Sequence, residues 1–287
     1  MRATKAIAGQ PVVAFLVPTP ERRCPIREVI YKQTEQGDLR LLIYEPETSQ
    51  GDRPGVVFYY GGGWRGGNLD QFQAHSKLLA RHGMVAVCAE YRVEKAHGIT
   101  KPVVCVEDGR SVYRWVKAHT DELRINLDQP AAGGWSTGGH VALCVPLAND
   151  VNAADDDQAI TCDPKLLLLF NPVGDAVARA DRFRSEDDAP KVSPIHLMKD
   201  QIPPSIIFYG SDDWMIEEGK AVMEKSMATG VASDIFVADG EKNAFFNRSP
   251  WKETTIDLMH GYLVRQGYVE GDSGIEVKAH MHELAEA

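Results

Sequence analysis

The sequence has few cysteines, no long apolar run and no excess of positive charge, and each of these absences excludes a class of protein. The five cysteines are scattered without C-x-x-C spacing, which argues against a disulfide framework and against a zinc site. No stretch approaches the roughly 18 consecutive apolar residues of a membrane-spanning helix. The formal net charge of −10 argues against nucleic acid and against an anionic membrane surface as partners.

Internal repeats and low-complexity linkers are also missing, so the 287 residues predict a single domain, 1–287. Within it we expect a short N-terminal extension over 1–25, a polar, lid-like excursion over about 175–201 and a loosely held tail over about 272–287. The mildly apolar segment 6–17 contains glycine and proline and makes a poor signal peptide, which favours a cytoplasmic protein. A secreted protein from which the signal peptide has been trimmed is the alternative.

What is present is an alternation of apolar runs and amphipathic segments. Apolar runs bounded by glycine or polar residues predict buried strands, and a 3.6-residue periodicity predicts helices. The predicted strands are 27–32, 39–45, 55–60, 84–89, 166–170, 205–209 and 232–237, and the predicted helices are 72–82, 103–119, 136–147, 217–228 and 251–266. This alternation indicates an α/β fold, a mostly parallel, doubly wound sheet with helices on both faces. Such sheets bind ligands at the carboxyl ends of their strands.

The segment Gly134-Trp135-Ser136-Thr137-Gly138 matches G-x-S-x-G, a sharp turn from a strand into a helix. Glycines flank the serine because the turn leaves no room for side chains and lifts the serine hydroxyl into the cleft. Small residues precede the motif and a helical pattern follows it, which is the context that the motif requires. We therefore predict Ser136 as a catalytic nucleophile. The alternative is a glycine-rich turn with an incidental serine.

Three glycines, Gly61 to Gly63, follow directly after the predicted strand 55–60. Consecutive glycines allow backbone N–H groups to turn inward with no side chain in the way of a substrate. We predict that the N–H groups of Gly62, Gly63 and Thr137 form an oxyanion hole. A plain glycine turn is the alternative, and a phosphate-binding loop is disfavoured because no Lys-Ser/Thr pair follows.

Together these motifs resemble the hormone-sensitive-lipase-like branch of the α/β-hydrolases, especially bacterial esterases of the acetyl-esterase type. The matching residues beside the serine turn are Tyr60-Gly-Gly-Gly-Trp64, in place of the family's His-Gly-Gly-Gly loop, Glu90-Tyr-Arg92, Glu107-Asp108, Arg114-Trp-Val116 and Gly210-Ser-Asp-Asp213. The resemblance runs from about residue 38 to residue 268. It implies the α/β-hydrolase fold and hydrolysis of short-chain or acetyl esters through an acyl-enzyme, with no cofactor and no metal.

By this resemblance Asp213 is the acid of the catalytic triad, with Asp212 as its nearest rival. The family carries its catalytic histidine in the segment that corresponds to 240–247, and this chain has Asn243 at that position. An amide side chain cannot accept a proton at useful pH, so Ser136 lacks a base in the predicted triad.

Two histidines elsewhere, His196 in the excursion and His97 in a loop, are candidate substitutes for the base, although a surface or packing role is the simpler interpretation of each. The tryptophans beside the motifs, Trp64, Trp135 and Trp214, are predicted to line the substrate pocket. We expect the partner to be a small-molecule ester or a related ligand, and the resemblance allows a homodimer.

Three hypotheses for the function remain. The first is a serine carboxylesterase scaffold that is inactive or strongly impaired because Asn243 replaces the base. The second is a naturally non-hydrolytic relative that binds a ligand, as the plant gibberellin receptors of the same family do. The third is different chemistry at the same pocket, or hydrolysis with a substitute base. The intact serine turn and glycine loop favour the first hypothesis.

Overall fold

A computed structural model of the chain describes residues 24–47, 51–183, 187–198, 202–228, 230–231 and 233–284. Almost all of the predicted N-terminal extension, 1–25, therefore lies outside the described residues. The described part of the chain forms one mixed sheet with helices packed on both of its faces.

The strands and helices agree with the predicted α/β pattern to within a few residues wherever a prediction was made. The strands are β1 (Ile26–Thr34), β2 (Gly37–Tyr44), β3 (Arg53–Tyr59), β4 (Val85–Ala89), β5 (Ile125–Trp135), β6 (Leu166–Phe170), β7 (Ser205–Gly210), β8 (Ser233–Ala238) and β9 (His282–Glu283). The α-helices are α1 (Gln73–Arg81), α2 (Glu94–His97), α3 (Val103–Ala118), α4 (Thr120–Leu123), α5 (Thr137–Leu147), α6 (Pro194–Leu197), α7 (Ile216–Ala228) and α8 (Trp251–Arg265). Short 3-10 helices cover Leu69–Phe72, Val177–Phe183, Ala189–Val192 and Phe245–Asn247.

The strand order in the sheet is β1-β2-β4-β3-β5-β6-β7-β8-β9. Neighbours from β4 to β8 run parallel, whereas β1, β2 and β9 pair antiparallel with their neighbours. The chain passes from β3 to β4 on one side and returns to β5 on the other side of β3. The strand order therefore reverses between β3 and β5, and the crevice at the carboxyl ends of these two strands is where such sheets bind ligands.

The alternation of side chains along β3 divides the core between the two faces of the sheet. Val57 and Tyr59 belong to the core on the side of α3 and α5, whereas Val56 and Phe58 belong to the core on the side of α1 and α8. Both faces are apolar because parallel strands are covered by helices on each side. The sheet thus forms a rigid base beneath the loops that leave its carboxyl edge.

Part of the segment 272–287, which was expected to be a loosely held tail, pairs with the sheet. Residues His282–Glu283 form β9, which pairs antiparallel with β8 through Phe236 and Val237. The edge of β8 offers free backbone donors and acceptors, and the returning chain satisfies some of them. Residues 285–287 lie outside the described residues.

The excursion over about 175–201 contains two of the 3-10 helices and the short helix α6. Its described residues pack on the helix that follows Ser136, since the carbonyl oxygen of Val192 contacts His140 Nε2 at 2.6 Å. None of the helices in the described part of the chain is long and apolar enough to cross a membrane.

Candidate active site

Ser136 lies at the junction of β5 and α5 with a backbone conformation that is unusual for a residue with a side chain. Its φ is 51° and its ψ is −116°, and its N–H donates to the carbonyl oxygen of Phe170 at 2.9 Å. A non-glycine residue with positive φ is strained, and such strain is found where a turn must present a side chain. The half-buried Ser136 therefore has the backbone geometry that the G-x-S-x-G motif predicts.

The glycines on either side of Ser136 permit close backbone contacts. A Cβ atom at Gly138 would lie 2.1 Å from the carbonyl oxygen of Tyr59, and one at Gly134 would lie 2.4 Å from the carbonyl oxygen of Gly138. Both distances are far below van der Waals contact, and the neighbours are backbone atoms that cannot move aside. The tight strand-to-helix turn therefore depends on glycine at both positions.

The glycine loop after β3 lies directly against the residue that follows Ser136. The N–H groups of Gly62 and Gly63 donate to the Thr137 hydroxyl oxygen at 3.2 and 3.1 Å, although 75 and 74 residues separate them from Thr137. Gly62 has a φ of 148°, and a Cβ there would lie 2.1 Å from the carbonyl oxygen of Gly66. The three residues predicted for the oxyanion hole are thus in contact with one another.

A pair of stacked tyrosines holds the first residue of this loop in place. The rings of Tyr60 and Tyr91 stack with centroids 4.4 Å apart, the Tyr60 hydroxyl donates to the Tyr91 carbonyl oxygen at 2.9 Å, and the Tyr91 hydroxyl donates to the Tyr60 carbonyl oxygen. Burial raises the pKa of both phenols, so both stay protonated donors at neutral pH. Tyr60, which replaces the histidine of the family's loop, therefore fixes the loop through its ring and hydroxyl.

The carboxylate of Asp213 is buried and is held by three donors. Its Oδ2 atom accepts from Asn171 Nδ2 at 2.7 Å and from Asn243 Nδ2 at 3.1 Å, and its Oδ1 atom accepts from the N–H of Met215 at 3.0 Å. Its rival Asp212 is exposed. The side chain at position 213, rather than the one at 212, therefore points into the protein and meets position 243.

Asn171 was not singled out from the sequence, yet it makes the shortest of these contacts with Asp213. It is fully buried and follows β6 with a φ of 45°. A signal was available, because a polar residue directly after a buried apolar strand lies at the carboxyl edge of the sheet. The signal was weak, since asparagine is also common in ordinary turns and tolerates positive φ.

The histidines considered as substitutes for the base are engaged in local contacts. His196 Nδ1 lies 2.9 Å from Ser193 Oγ and 3.6 Å from Asp175 Oδ1. His97 Nδ1 accepts from the N–H of Val93 at 3.1 Å. In the part of the chain that the structure describes, no hydrogen bond links His196 or His97 to the candidate catalytic residues.

The three tryptophans predicted to line the pocket have three different surroundings. Trp64 is buried with its ring edge-on to His140 at a centroid distance of 5.3 Å. Trp135 is half-buried and packs edge-on against Phe246 at 5.9 Å. Trp214 is 67% exposed, and the Arg179 guanidinium lies 4.4 Å from its ring centroid. Each of the three rings therefore packs against a different neighbour.

Two cavities lie at opposite ends of the sheet. A cavity of about 240 Å³ borders the glycine loop at Gly63 and Trp64 and continues to Glu94 and Asp181. A cavity of about 710 Å³ includes Lys165, directly before β6, and hence lies at the amino ends of the strands, away from Ser136. Of these two, the smaller adjoins the candidate site, and a further cavity of about 380 Å³ borders the same loop at Tyr60 and Gly67. No cluster of His, Cys, Asp and Glu able to hold a metal ion is present among the described residues.

Comparisons with known proteins identify related esterases. A family model described as BD-FAE matches residues 41–166. Carboxylesterase NlhH of Mycobacterium tuberculosis is 29% identical over 178 residues, which cover 60% of this chain and 50% of NlhH. Carboxylic ester hydrolase LipN of the same organism is 26% identical over 240 residues, which cover 74% of this chain and 62% of LipN. The chain spans about half of the length of NlhH and less than two thirds of LipN.

Solved structures give a match over nearly the whole fold. Esterase 2 of Thermogutta terrifontis, a thermophilic planctomycete esterase solved with bound propionate, has a TM-score of 0.79 and 30% identity over 89% of this chain and 98% of that one. The same esterase phosphorylated by paraoxon has a TM-score of 0.80 and 32% identity over 86% of this chain and 96% of that one. At this identity and coverage, the chain belongs to the carboxylic ester hydrolases of the α/β-hydrolase fold.

Proposed function

We propose that this chain is a serine carboxylesterase scaffold for short-chain or acetyl esters, in which Asn243 stands where the catalytic base belongs. Ser136 is the nucleophile, Asp213 is the triad acid, and the N–H groups of Gly62, Gly63 and Thr137 stabilise the oxyanion. The chain as written is therefore inactive or strongly impaired in hydrolysis.

The observation that carries this proposal is the hydrogen bond from Asn243 Nδ2 to Asp213 Oδ2 at 3.1 Å. In a serine triad the buried carboxylate accepts a hydrogen bond from the histidine Nδ1–H, which fixes the orientation of the imidazole. The amide N–H of Asn243 makes the equivalent bond to the carboxylate. It preserves the contact between the two segments, 30 residues apart in sequence, without supplying a proton acceptor.

The chemical consequence follows from the proton balance of acyl transfer. Attack of Ser136 Oγ on the ester carbonyl forms a C–O bond and releases the hydroxyl proton, and expulsion of the alcohol requires a proton on its oxygen. A histidine performs both transfers, and an amide performs neither. Loss of the base from such a triad lowers turnover on the order of 10⁶-fold. The oxyanion hole and substrate binding alone leave roughly 10³–10⁴-fold acceleration over water.

Short-chain esters are the substrate class that the comparisons favour. The related Thermogutta terrifontis esterase has been solved with bound propionate and with bound butyrate, and its fold covers 88–89% of this chain. These bound acids have short acyl chains, which favours esters of short-chain acids as substrates of this chain.

The test is hydrolysis of p-nitrophenyl acetate and butyrate by the parent chain, Asn243→His, and Asn243→His combined with Ser136→Ala. We expect Asn243→His to raise kcat/KM by at least about 10²-fold, the lower end of what a positioned general base contributes, and at most by the order of 10⁶-fold that loss of the base costs such a triad. The added Ser136→Ala change should abolish the gain.

Asn247→His is the matched control, because Asn247 is exposed in the same segment and does not contact Asp213. It adds an imidazole without placing it against the carboxylate, so no Ser136-dependent gain is expected. If Asn243→His likewise produces no Ser136-dependent hydrolysis, the proposal is wrong, and a ligand-binding role or another reaction becomes the better interpretation.

A further inference from the structure

The Thr137 hydroxyl oxygen is the acceptor for three consecutive backbone N–H groups of the glycine loop. The N–H groups of Gly62, Gly63 and Trp64 point to Thr137 Oγ1 at 3.2, 3.1 and 3.4 Å. A hydroxyl oxygen has two lone pairs, so three donors share it and each bond is long and weak. Two of these donors are the groups that the proposed function assigns to the oxyanion.

The loop's other described hydrogen bonds, such as those from the N–H groups of Arg65 and Gly66 to the carbonyl oxygen of Gly62, do not use the N–H groups of Gly62 and Gly63. Gly62 and Gly63 have no side chains, and their φ angles of 148° and 68° are conformations that glycine adopts without strain but also leaves easily. A Cβ built at Gly63 meets no atom within 4 Å, so packing does not confine that residue. Ordering such residues costs conformational entropy, and a shared acceptor offsets part of this cost.

Thr137 also interacts with Tyr91, the tyrosine that stacks on the first residue of the loop. It is 2% exposed and begins α5, directly after the strained Ser136. The Thr137 side chain opposes the rise of the Tyr91 pKa that burial causes, and the Tyr91 hydroxyl donates to the Tyr60 carbonyl oxygen. The acceptor and the first residue of the loop are therefore linked through one buried phenol.

We propose that the Thr137 side chain is a positioning residue of the oxyanion hole. Its hydroxyl oxygen holds the N–H groups of Gly62 and Gly63 inward while no substrate is bound. A developing oxyanion then takes over these donors, because hydrogen bonds to a charged acceptor are roughly twice as strong as neutral ones. The hole is thereby preorganised before the substrate arrives. This inference rests on the proposed function for the identity of the hole, but the tether itself can be measured separately.

The first experiment measures hydrogen–deuterium exchange of a peptide covering 60–66 in the full chain and in two variants at position 137. Thr137→Val keeps the shape of the side chain and removes the acceptor, whereas Thr137→Ser keeps the acceptor. We expect exchange of the loop amides to accelerate about 10-fold or more in Thr137→Val, corresponding to loss of about 1.4 kcal/mol of protection, and to stay near the parent rate in Thr137→Ser.

The second experiment measures kcat and KM for p-nitrophenyl butyrate with the same two variants in the Asn243→His background. N–H groups that are no longer held in position stabilise the transition state less, whereas binding of the substrate changes little. We therefore expect kcat to fall about 10-fold or more in Thr137→Val, with KM changed less than about 2-fold. Thr137→Ser should retain most of the turnover. A role in stability alone would not produce this split between kcat and KM.

Two results would contradict the positioning role of Thr137. Unchanged exchange of the loop amides in Thr137→Val would show that the hydroxyl does not tether the loop. Higher turnover of Thr137→Val than of Asn243→His alone would show that the hydroxyl competes with the oxyanion. Either result overturns the inference. If Asn243→His has no Ser136-dependent activity, the proposed function fails while the exchange experiment still decides on the tether. Thr137→Ala, which removes bulk as well as the acceptor, replaces Thr137→Val if the latter does not fold.

Discussion

The hydrogen bond between Asn171 and Asp213 is a single contact whose contribution to stability can be measured directly. Asn171 Nδ2 donates to Asp213 Oδ2 at 2.7 Å, and both residues are buried. Replacement by glycine removes the amide and tolerates the φ of 45°, whereas alanine would add backbone strain. Because a buried carboxylate then loses a donor, we expect Asn171→Gly to lower the free energy of unfolding by about 1–3 kcal/mol.

Urea unfolding of the parent and Asn171→Gly checks this expectation, with an unchanged slope as the sign that only stability has changed. In the Asn243→His background the same substitution should also lower kcat, since the carboxylate that orients the imidazole loses one of its supports. Equal stability of parent and variant would mean that water replaces the Asn171 amide at no cost.

At the same scale, the sequence predicted which residues meet but not all of their contacts. The G-x-S-x-G motif and the glycine run were recognisable because each requires a specific backbone geometry. The position of Asn243 beside Asp213 followed from the family resemblance, and the structure places the two side chains in contact. The tether by Thr137 Oγ1 was not predicted, because only the backbone N–H of Thr137 had been considered and a contact across 75 residues leaves no local pattern.

At the scale of elements, the junction of β5 and α5 is sensitive to any side chain at Gly138. A Cβ there would lie 2.1 Å from the carbonyl oxygen of Tyr59, at the end of β3. The hydrogen bonds of the sheet fix that strand, so the clash cannot relax cheaply. We expect Gly138→Ala to destabilise the protein by about 1–3 kcal/mol or more.

Gly261 in α8 provides the matched control, because a Cβ there meets no atom within 4 Å. Alanine is a better helix former than glycine, so Gly261→Ala should stabilise the protein by about 0.5–1 kcal/mol. Thermal or urea unfolding of both variants gives the comparison. Similar effects of the two substitutions would contradict the close approach of β3 to the start of α5.

Strands and helices could be predicted where a short stretch of sequence determines them. The uninterrupted run of β6, Leu166–Phe170, was predicted with the bounds that the structure has, since a fully buried parallel strand is apolar at every position. The two residues of β9, His282–Glu283, are polar and exposed. They form a strand only because the edge of β8 lies beside them, and a short window of sequence contains no such information.

For the molecule as a whole, the order of strands explains why distant motifs meet. The sheet places β3 between β4 and β5, so Gly61 to Gly63 after β3 and Ser136 after β5 leave the same edge at the reversal of strand order. Asn171 after β6 and Asp213 after β7 leave that edge from the next two strands. The amphipathic pattern predicted a doubly wound sheet, but it did not determine this order, because the order depends on long-range pairing.

Stability of the whole molecule should fall in mild acid because two histidines are buried in their neutral form. Burial lowers the pKa of His75 from 6.5 to about 3, and the Lys252 charge adds a smaller effect in the same direction. Burial also lowers the pKa of His140 from 6.5 to about 4, against an opposing hydrogen bond to Val192 and with a further lowering by Arg179. Both imidazoles bind a proton more readily in the unfolded chain than in the folded one.

As the pH falls, the unfolded chain therefore binds protons before the folded protein does. The free energy of unfolding keeps the full contribution of the two neutral histidines above about pH 6.5, and it loses this contribution as the pH falls toward 4. His75→Phe is a direct probe, since both ring nitrogens lack hydrogen-bond partners and the ring lies among Phe58, Phe72, Phe170 and Phe246. Urea unfolding between pH 7.5 and pH 5 should show a shallower loss of stability for His75→Phe than for the parent, by up to about 1.4 kcal/mol per pH unit.

The control is His280→Gln, at an exposed position, which should leave the slope of stability against pH unchanged. An identical pH dependence for His75→Phe and the parent would mean that His75 is protonated without cost in the fold, and hence that water reaches its ring.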